Sequence, residues 1–295
     1  MQKTFHGAGV ALITPFLADL QIDFEGLGRV IESQIENGMD YLVALGTTAE
    51  TATLSHGEKQ QVIDFVVVRT AGRVPIMVGI GGNSTSEVID QMKAFNLDNV
   101  AGILSVVPYY NKPSQEGIYR HFMAISAASP LPVIVYNVPG RTSVNMTAET
   151  TLRLAHDAIN IVATKEASGN IGEIIKILKG KPDKFSVISG DDSFVVPIIS
   201  IGGEGVISVV ANLAPKLISS MTHFALNGDF HNAATIQLDI QALIEDIFAE
   251  GNPSGVKAAM HSTGMIENQL RLPLVPVSEK LYKELAEKTK TLLRG

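Results

Sequence analysis

The 295-residue chain contains no cysteine, which excludes disulfides, thiolate metal sites and a cysteine nucleophile together. It has no run of lysine or arginine longer than a pair, and its formal charge of −7 arises from 23 basic against 30 acidic residues. A nucleic-acid surface needs clustered cations, so no nucleic-acid partner is expected. No stretch reaches the roughly 18 uninterrupted apolar residues of a membrane span. The start, MQKTFHGAGVALIT, lacks the basic segment and long apolar run of a secretory signal. A cytoplasmic protein with no membrane partner is therefore expected. The histidines His6, His56, His121, His156, His223, His231 and His261 are scattered without an HExxH spacing, so neither a metal nor another cofactor is expected. Low-complexity tracts and Pro/Gly/Ser-rich linkers are also lacking.

What is present is globular: 45% hydrophobic and 18% charged residues, far from the composition of disorder. Short β-branched apolar runs recur at Val10 to Thr14, Tyr41 to Leu45, Pro75 to Gly79, Gly102 to Val107, Pro132 to Tyr136, Ile161 to Lys165, Phe185 to Ser189 and Gly205 to Val210. Runs apolar on both faces read as buried parallel strands. Helical patterns separate them, such as Leu27, Val30, Ile31 and Ile35, or Ile118, Phe122 and Ile125. Ser55-x-x-Glu58 and Ser84-x-x-Glu87 have the form of capping boxes. Gly38, Gly72 and Gly180 suit helix C-termini. Eight strand–helix units predict a (β/α)8 TIM barrel. An open doubly wound sheet is the alternative, but it wants a glycine fingerprint after its first strand. Gly79-Ile80-Gly81-Gly82-Asn83-Ser84 follows the third and reads as a tight turn. After Val210 the pattern is helical to the end, with Pro215 in a first turn, a stripe of Ile236, Ile240, Leu243, Ile244 and Ile247, and Ser278 opening a last helix. The barrel is assigned to residues 1–228 with the active site, and 229–295 to a C-terminal helical extension that caps the barrel or serves a subunit interface.

In such a barrel the loops after the strands share one face, so polar residues there converge. Lys165 closes a buried run, where desolvation draws an amine from about 10.4 toward roughly 7 to 8 and enables attack on a ketone. A snorkelling lysine, or one paired with Glu166 or Asp191, is the plainer reading. Tyr136 is a candidate proton shuttle or a core aromatic. Thr47 and Thr48 offer hydroxyls and backbone N–H groups to a carboxylate, or form a simple turn. Arg141 could grip a carboxylate in two-point fashion, or lie in solvent. Their joint occurrence on one rim favours a site.

GTTAET, PYYNKPSQEG, YNVPGRT, KEASGN, SGDD and GVISV, in that order and at strand ends, resemble the dihydrodipicolinate synthase branch of the pyruvate-dependent lyase and aldolase superfamily, which also contains N-acetylneuraminate lyase. The resemblance covers essentially the whole chain. It implies condensation of pyruvate with aspartate semialdehyde to 4-hydroxy-tetrahydrodipicolinate, on the route to diaminopimelate and lysine, through a Schiff base on Lys165. It further implies a proton relay of Tyr136, Thr47 and Tyr110, with Tyr110 borrowed from an adjacent subunit. Thr48 would contact the pyruvate carboxylate, Gly190 and Ile207 would line its pocket, and Arg141 would hold the carboxylate of aspartate semialdehyde. A homotetramer built from tight dimers is implied as well.

Two departures stand out. The usual Gly-Thr-Thr-Gly-Glu-Ser is GTTAET here, so Ala49 puts a methyl on a turn residue that often takes positive φ. Relatives inhibited by lysine use positions matching Thr51, His56, Lys59, Asn83, Glu87 and Tyr109, with histidine common where Lys59 stands. A cation there repels the ligand's ammonium, so weak or absent lysine inhibition is expected. A sugar-acid aldolase sibling is the nearest rival reading, and Arg141 argues against it, because a polyol site wants hydroxyls and amides. A catalytically silent barrel acting as a binding protein is the third.

Overall fold

A computed structural model describes residues 5–292. Eight parallel strands close into a barrel in chain order: β1 Gly7–Ala11, β2 Tyr41–Ala44, β3 Ile76–Gly79, β4 Gly102–Val106, β5 Val133–Asn137, β6 Ile161–Glu166, β7 Ser186–Ser189 and β8 Gly205–Ser208. Around them lie α1 Phe24–Glu36, α2 His56–Thr70, α3 Thr85–Ala94, α4 Gln115–Ala128, the single turn α5 Pro139–Thr142, α6 Ala148–Asp157, α7 Ile171–Gly180, α8 Val195–Ser200 and α9 Pro215–Leu226. Three more helices follow: α10 Phe230–Ala249, α11 Ser254–Ser262 and α12 Glu279–Leu292. The predicted (β/α)8 barrel with C-terminal helices is what the chain forms.

The core has two layers. Inside the barrel, Tyr41, Val43, Met77, Ile134, Ile188 and Ile207 form one buried cluster, and Phe5 packs edge-on against Tyr41 below them. Outside, the other strand face meets the helices through residues such as Ile31, Val62, Ile118, Ile125 and Leu154. Burial of each such side chain contributes roughly 1.5–3 kcal/mol.

Three expectations need correction. β1 begins at Gly7 and not at Val10, pairing Gly9 with Tyr41 and with Ile207. Gly9 is there for space: a Cβ on it would sit 2.2 Å from the Tyr41 ring. The Ser55 box is reciprocal, with both Ser55 and Glu58 capping, whereas Ser84 merely accepts from Glu87 N at 3.5 Å and receives no return bond. The stretch from Thr263 to Ser278 is not helical. Its backbone is held in part by side chains instead, with Lys257 Nζ donating to Gln269 O at 2.9 Å and Glu250 accepting from Ser278 N at 2.7 Å.

β6 carries the feature that matters most for the site. Val133 pairs with Ile161, but Ile134 pairs with Ala163, leaving Val162 as an extra residue in the ladder. Strand side chains alternate with period two, so regular pairing would send Lys165 to the same outer face as Ile161, which packs with the helices. One inserted residue reverses the phase. Ala163 joins the inner cluster, and Lys165 follows it inward.

Candidate active site

A cavity of about 360 Å³ opens at the C-terminal ends of the strands, lined among others by Thr47, Thr48, Tyr136, Arg141, Lys165, Gly190, Asp191 and Asn252. Six of the eight residues expected to act on or bind substrate therefore meet: Thr47, Thr48, Tyr136, Arg141, Lys165 and Gly190. Lys165 is 5% exposed, and its Nζ lies 4.4 Å from the Tyr136 ring centroid. The lysine stem runs against Gly190, where an added Cβ would sit 2.9 Å from Lys165 Cε and from the Ala167 methyl. Only glycine leaves room for the amine to reach the cavity.

Among the described residues Lys165 has no ion pair, so the plainer reading of a lysine matched by Glu166 or Asp191 does not hold. Burial lowers its pKa to about 8, opposed by the charge of Asp192 and aided by that of Arg141. Burial raises the Tyr136 phenol to about 12, against the pull of Arg141 and of a hydrogen bond from Thr47. The amine is thus readily neutral and the phenol firmly protonated.

The neighbouring carboxylates are occupied elsewhere. Asp192 is buried, accepts from Ser208 Oγ and from Val209 N at 2.9 Å, and its pKa is raised by burial. Glu166 faces the opposite side of β6 from Lys165, accepting from Asn137 Nδ2 at 3.1 Å and from Ser168 N at 3.0 Å. Burial lifts its pKa to about 7.

Thr47 and Thr48 sit in a 3-10 turn that ends on Glu50, the residue here in the left-handed region (φ 52°). Ala49 lies within the turn, so its methyl meets no such strain. Glu50 pairs with Lys257 Nζ, both side chains fully buried, and its other oxygen accepts from Arg271 N at 3.0 Å. The threonine turn is thereby tied to α11 and the segment after it.

The C-terminal helices also supply lining that sequence reasoning missed: Ile244, Glu245 and Phe248 from α10, and Asn252 from the turn that follows. The available signals were Asn252 set between Gly251 and Pro253, and a lone cation, Lys257, in an apolar stretch.

Other expected residues stand apart from the cavity. Ile207 is buried inside the barrel and does not line it. Tyr110 is 84% exposed, with its backbone in the left-handed region at φ 73°. Of the set matched to lysine inhibition, Thr51 and Lys59 share a cavity of about 80 Å³ that also reaches Thr47 and Tyr136. His56 stacks on Phe95 at 4.5 Å, Glu87 lies in the first turn of α3 behind Ser84 and Asn83, and Tyr109 is partly exposed. None of these four lines that smaller cavity. Among the described residues no cluster of three or more acidic or histidine side chains could hold a metal, and no helix is long and apolar enough to cross a membrane.

Known proteins resemble the chain over nearly its whole length. The sequence model of the dihydrodipicolinate synthetase family matches residues 4–292. The chain is 52% identical over 281 residues to the 4-hydroxy-tetrahydrodipicolinate synthase of Parabacteroides distasonis, covering 95% of each. It is 51% identical over 285 residues to that of Phocaeicola vulgatus, covering 97% of this chain and 96% of the relative. The crystal structure of dihydrodipicolinate synthase from Aquifex aeolicus superposes with a TM-score of 0.94 at 41% identity, covering 98% of each chain. A closed barrel, an unpaired interior lysine and full-length likeness of this degree place the chain in the dihydrodipicolinate synthetase family.

Proposed function

We propose that this lyase forms a Schiff base between Lys165 and pyruvate and condenses the resulting enamine with aspartate semialdehyde. The single observation carrying this reading is the desolvated Lys165 amine, free of any ion pair, beside Tyr136 and Arg141. The neutral amine attacks the ketone carbon, and the Tyr136 phenol, kept protonated by burial, donates to the departing oxygen so that water leaves. The iminium then accepts the electron pair released when the Tyr136 phenolate, left by the first transfer, takes a methyl proton, giving the enamine that attacks the aldehyde carbon while that proton passes to the aldehyde oxygen. The aldehyde's own amine displaces Lys165 from the keto carbon and closes the ring. In this reading Thr48 holds the pyruvate carboxylate, and Arg141 holds that of the semialdehyde.

A second copy of the chain completes the relay. An exposed aromatic on backbone of positive φ is costly to keep without use, which supports Tyr110 reaching the Thr47–Tyr136 pair of a neighbouring subunit, within a tetramer of tight dimers.

Reduction with borohydride in the presence of pyruvate, followed by intact mass, tests the covalent step; assay with aspartate semialdehyde then tests the second substrate. At fixed pyruvate, adduct formation should rise about tenfold per pH unit below the Lys165 pKa and level off above about pH 8. Arg141→Ala removes a cation that lowers that pKa, so the midpoint should move to higher pH. Above it adduct yield should stay intact while aldehyde KM rises roughly 10- to 100-fold, the scale of a lost hydrogen bond to a charged group. Loss of the adduct with aldehyde KM spared would overturn the assignment of Arg141.

Lysine should inhibit weakly or not at all. Lys59 shares its small cavity with Thr51 and presents a cation to the ligand's ammonium. A lysine titration showing strong inhibition at modest concentration refutes this.

A further inference from the structure

Asn252 lies in the turn between α10 and α11, 204 residues beyond Thr48, and is 6% exposed. Its Nδ2 donates to Thr48 Oγ1 at 3.0 Å. Its main-chain carbonyl accepts from Arg141 Nη2 at 3.2 Å. All three residues line the same cavity.

A hydroxyl has one proton to give and two lone pairs to offer. With one lone pair of Thr48 Oγ1 taken by the Asn252 amide, the Thr48 proton has no acceptor in Asn252 and is left for an acceptor in the cavity. The Arg141 side chain makes this one hydrogen bond among the described residues, so most of its guanidinium N–H groups also remain for a ligand. Asn252 Oδ1 is buried without a partner, an unmet polar group of the kind that a working site explains better than a merely structural one.

We propose that Asn252 is a positioning residue that aims the Thr48 hydroxyl proton at the keto-acid carboxylate, while its carbonyl steadies Arg141 for the carboxylate of the aldehyde. The inference rests on the reading of Thr48 as the pyruvate contact. It makes a single residue of the C-terminal helices responsible for holding both anion-binding side chains.

Asn252→Asp keeps the size of the side chain and places an acceptor where the donor stands. The Thr48 hydroxyl then donates to the new carboxylate and turns from the cavity. The pyruvate concentration giving half-maximal borohydride trapping should rise about tenfold or more, and Asn252→Ala should raise it about threefold. In the alanine variant the main-chain carbonyl remains, so aldehyde KM should change by less than about twofold. In a Thr48→Val background Asn252→Ala should add nothing further to the pyruvate dependence, because its effect passes through that hydroxyl.

An aspartate variant with unchanged pyruvate dependence overturns the inference, since a carboxylate matches an amide that merely accepts from Thr48. Additive effects of Thr48→Val and Asn252→Ala overturn it equally. If Thr48→Val itself leaves trapping unaltered, the assignment of Thr48 falls and this role falls with it. A clear effect of Thr48→Val beside none from either Asn252 variant sinks this inference alone.

Discussion

Lys165→Ala should abolish the mass increase seen on borohydride reduction with pyruvate and lower kcat/KM by at least roughly 10,000-fold, about 5.5 kcal/mol of transition-state stabilisation. No other amine in the cavity can take its place. Lys257, the nearest buried alternative in kind, is held in a pair with Glu50. The variant should fold normally, because the lost group is a desolvated cation with no partner ion, and its removal relieves burial of charge. A thermal midpoint close to that of the parent chain, together with a missing adduct, distinguishes lost chemistry from lost structure. Adduct formation persisting in Lys165→Ala would place the reactive amine elsewhere.

Lys257→Met should have the largest effect on stability. The side chains of Lys257 and Glu50 are both inaccessible to solvent, and removing one member leaves a buried carboxylate uncompensated. Such losses cost about 3–5 kcal/mol, a fall in Tm on the order of 10 °C. Because Glu50 ends the turn bearing Thr47 and Thr48, pyruvate trapping should weaken in the same variant. The double variant Lys257→Met/Glu50→Gln, which removes the stranded charge, should recover most of the lost stability. A single variant that loses less than about 1 kcal/mol, measured by denaturant unfolding, contradicts a structural role for the pair.

The strand–helix alternation was legible because a parallel barrel buries both strand faces, so its strands appear as unbroken apolar runs bounded by turn signals. The exception, β1, was set too late: Gly7 and Gly9 add no apolar side chain to the run, and the close approach of Gly9 to Tyr41 and of Gly7 to Asp40 arises only in the fold. Lys165 was found by its place at the end of such a run. That its amine points into the barrel mouth was expected from that place, but the cause was not legible, because it depends on one unpaired residue, Val162, and the pattern of Ile161 to Lys165 carries no mark of a bulge. Asn252 escaped notice for another reason. Between Gly251 and Pro253 it has the composition of any turn, and its meaning arises only when closure of the fold brings it to Thr48. The same holds for Glu50 and Lys257, ordinary charges 207 positions apart in sequence that become a matched pair only in the fold.

The bond between Thr48 and Asn252 also bears on how the molecule is completed. A chain formed only as far as β8 has its lysine and tyrosine but not the amide that bonds to the threonine, so the finished state should capture a keto acid more tightly than partly assembled ones. Ligands that bind just one state raise its share of the population. Pyruvate should therefore act as a clasp as well as a reactant, favouring molecules whose last helices have already docked.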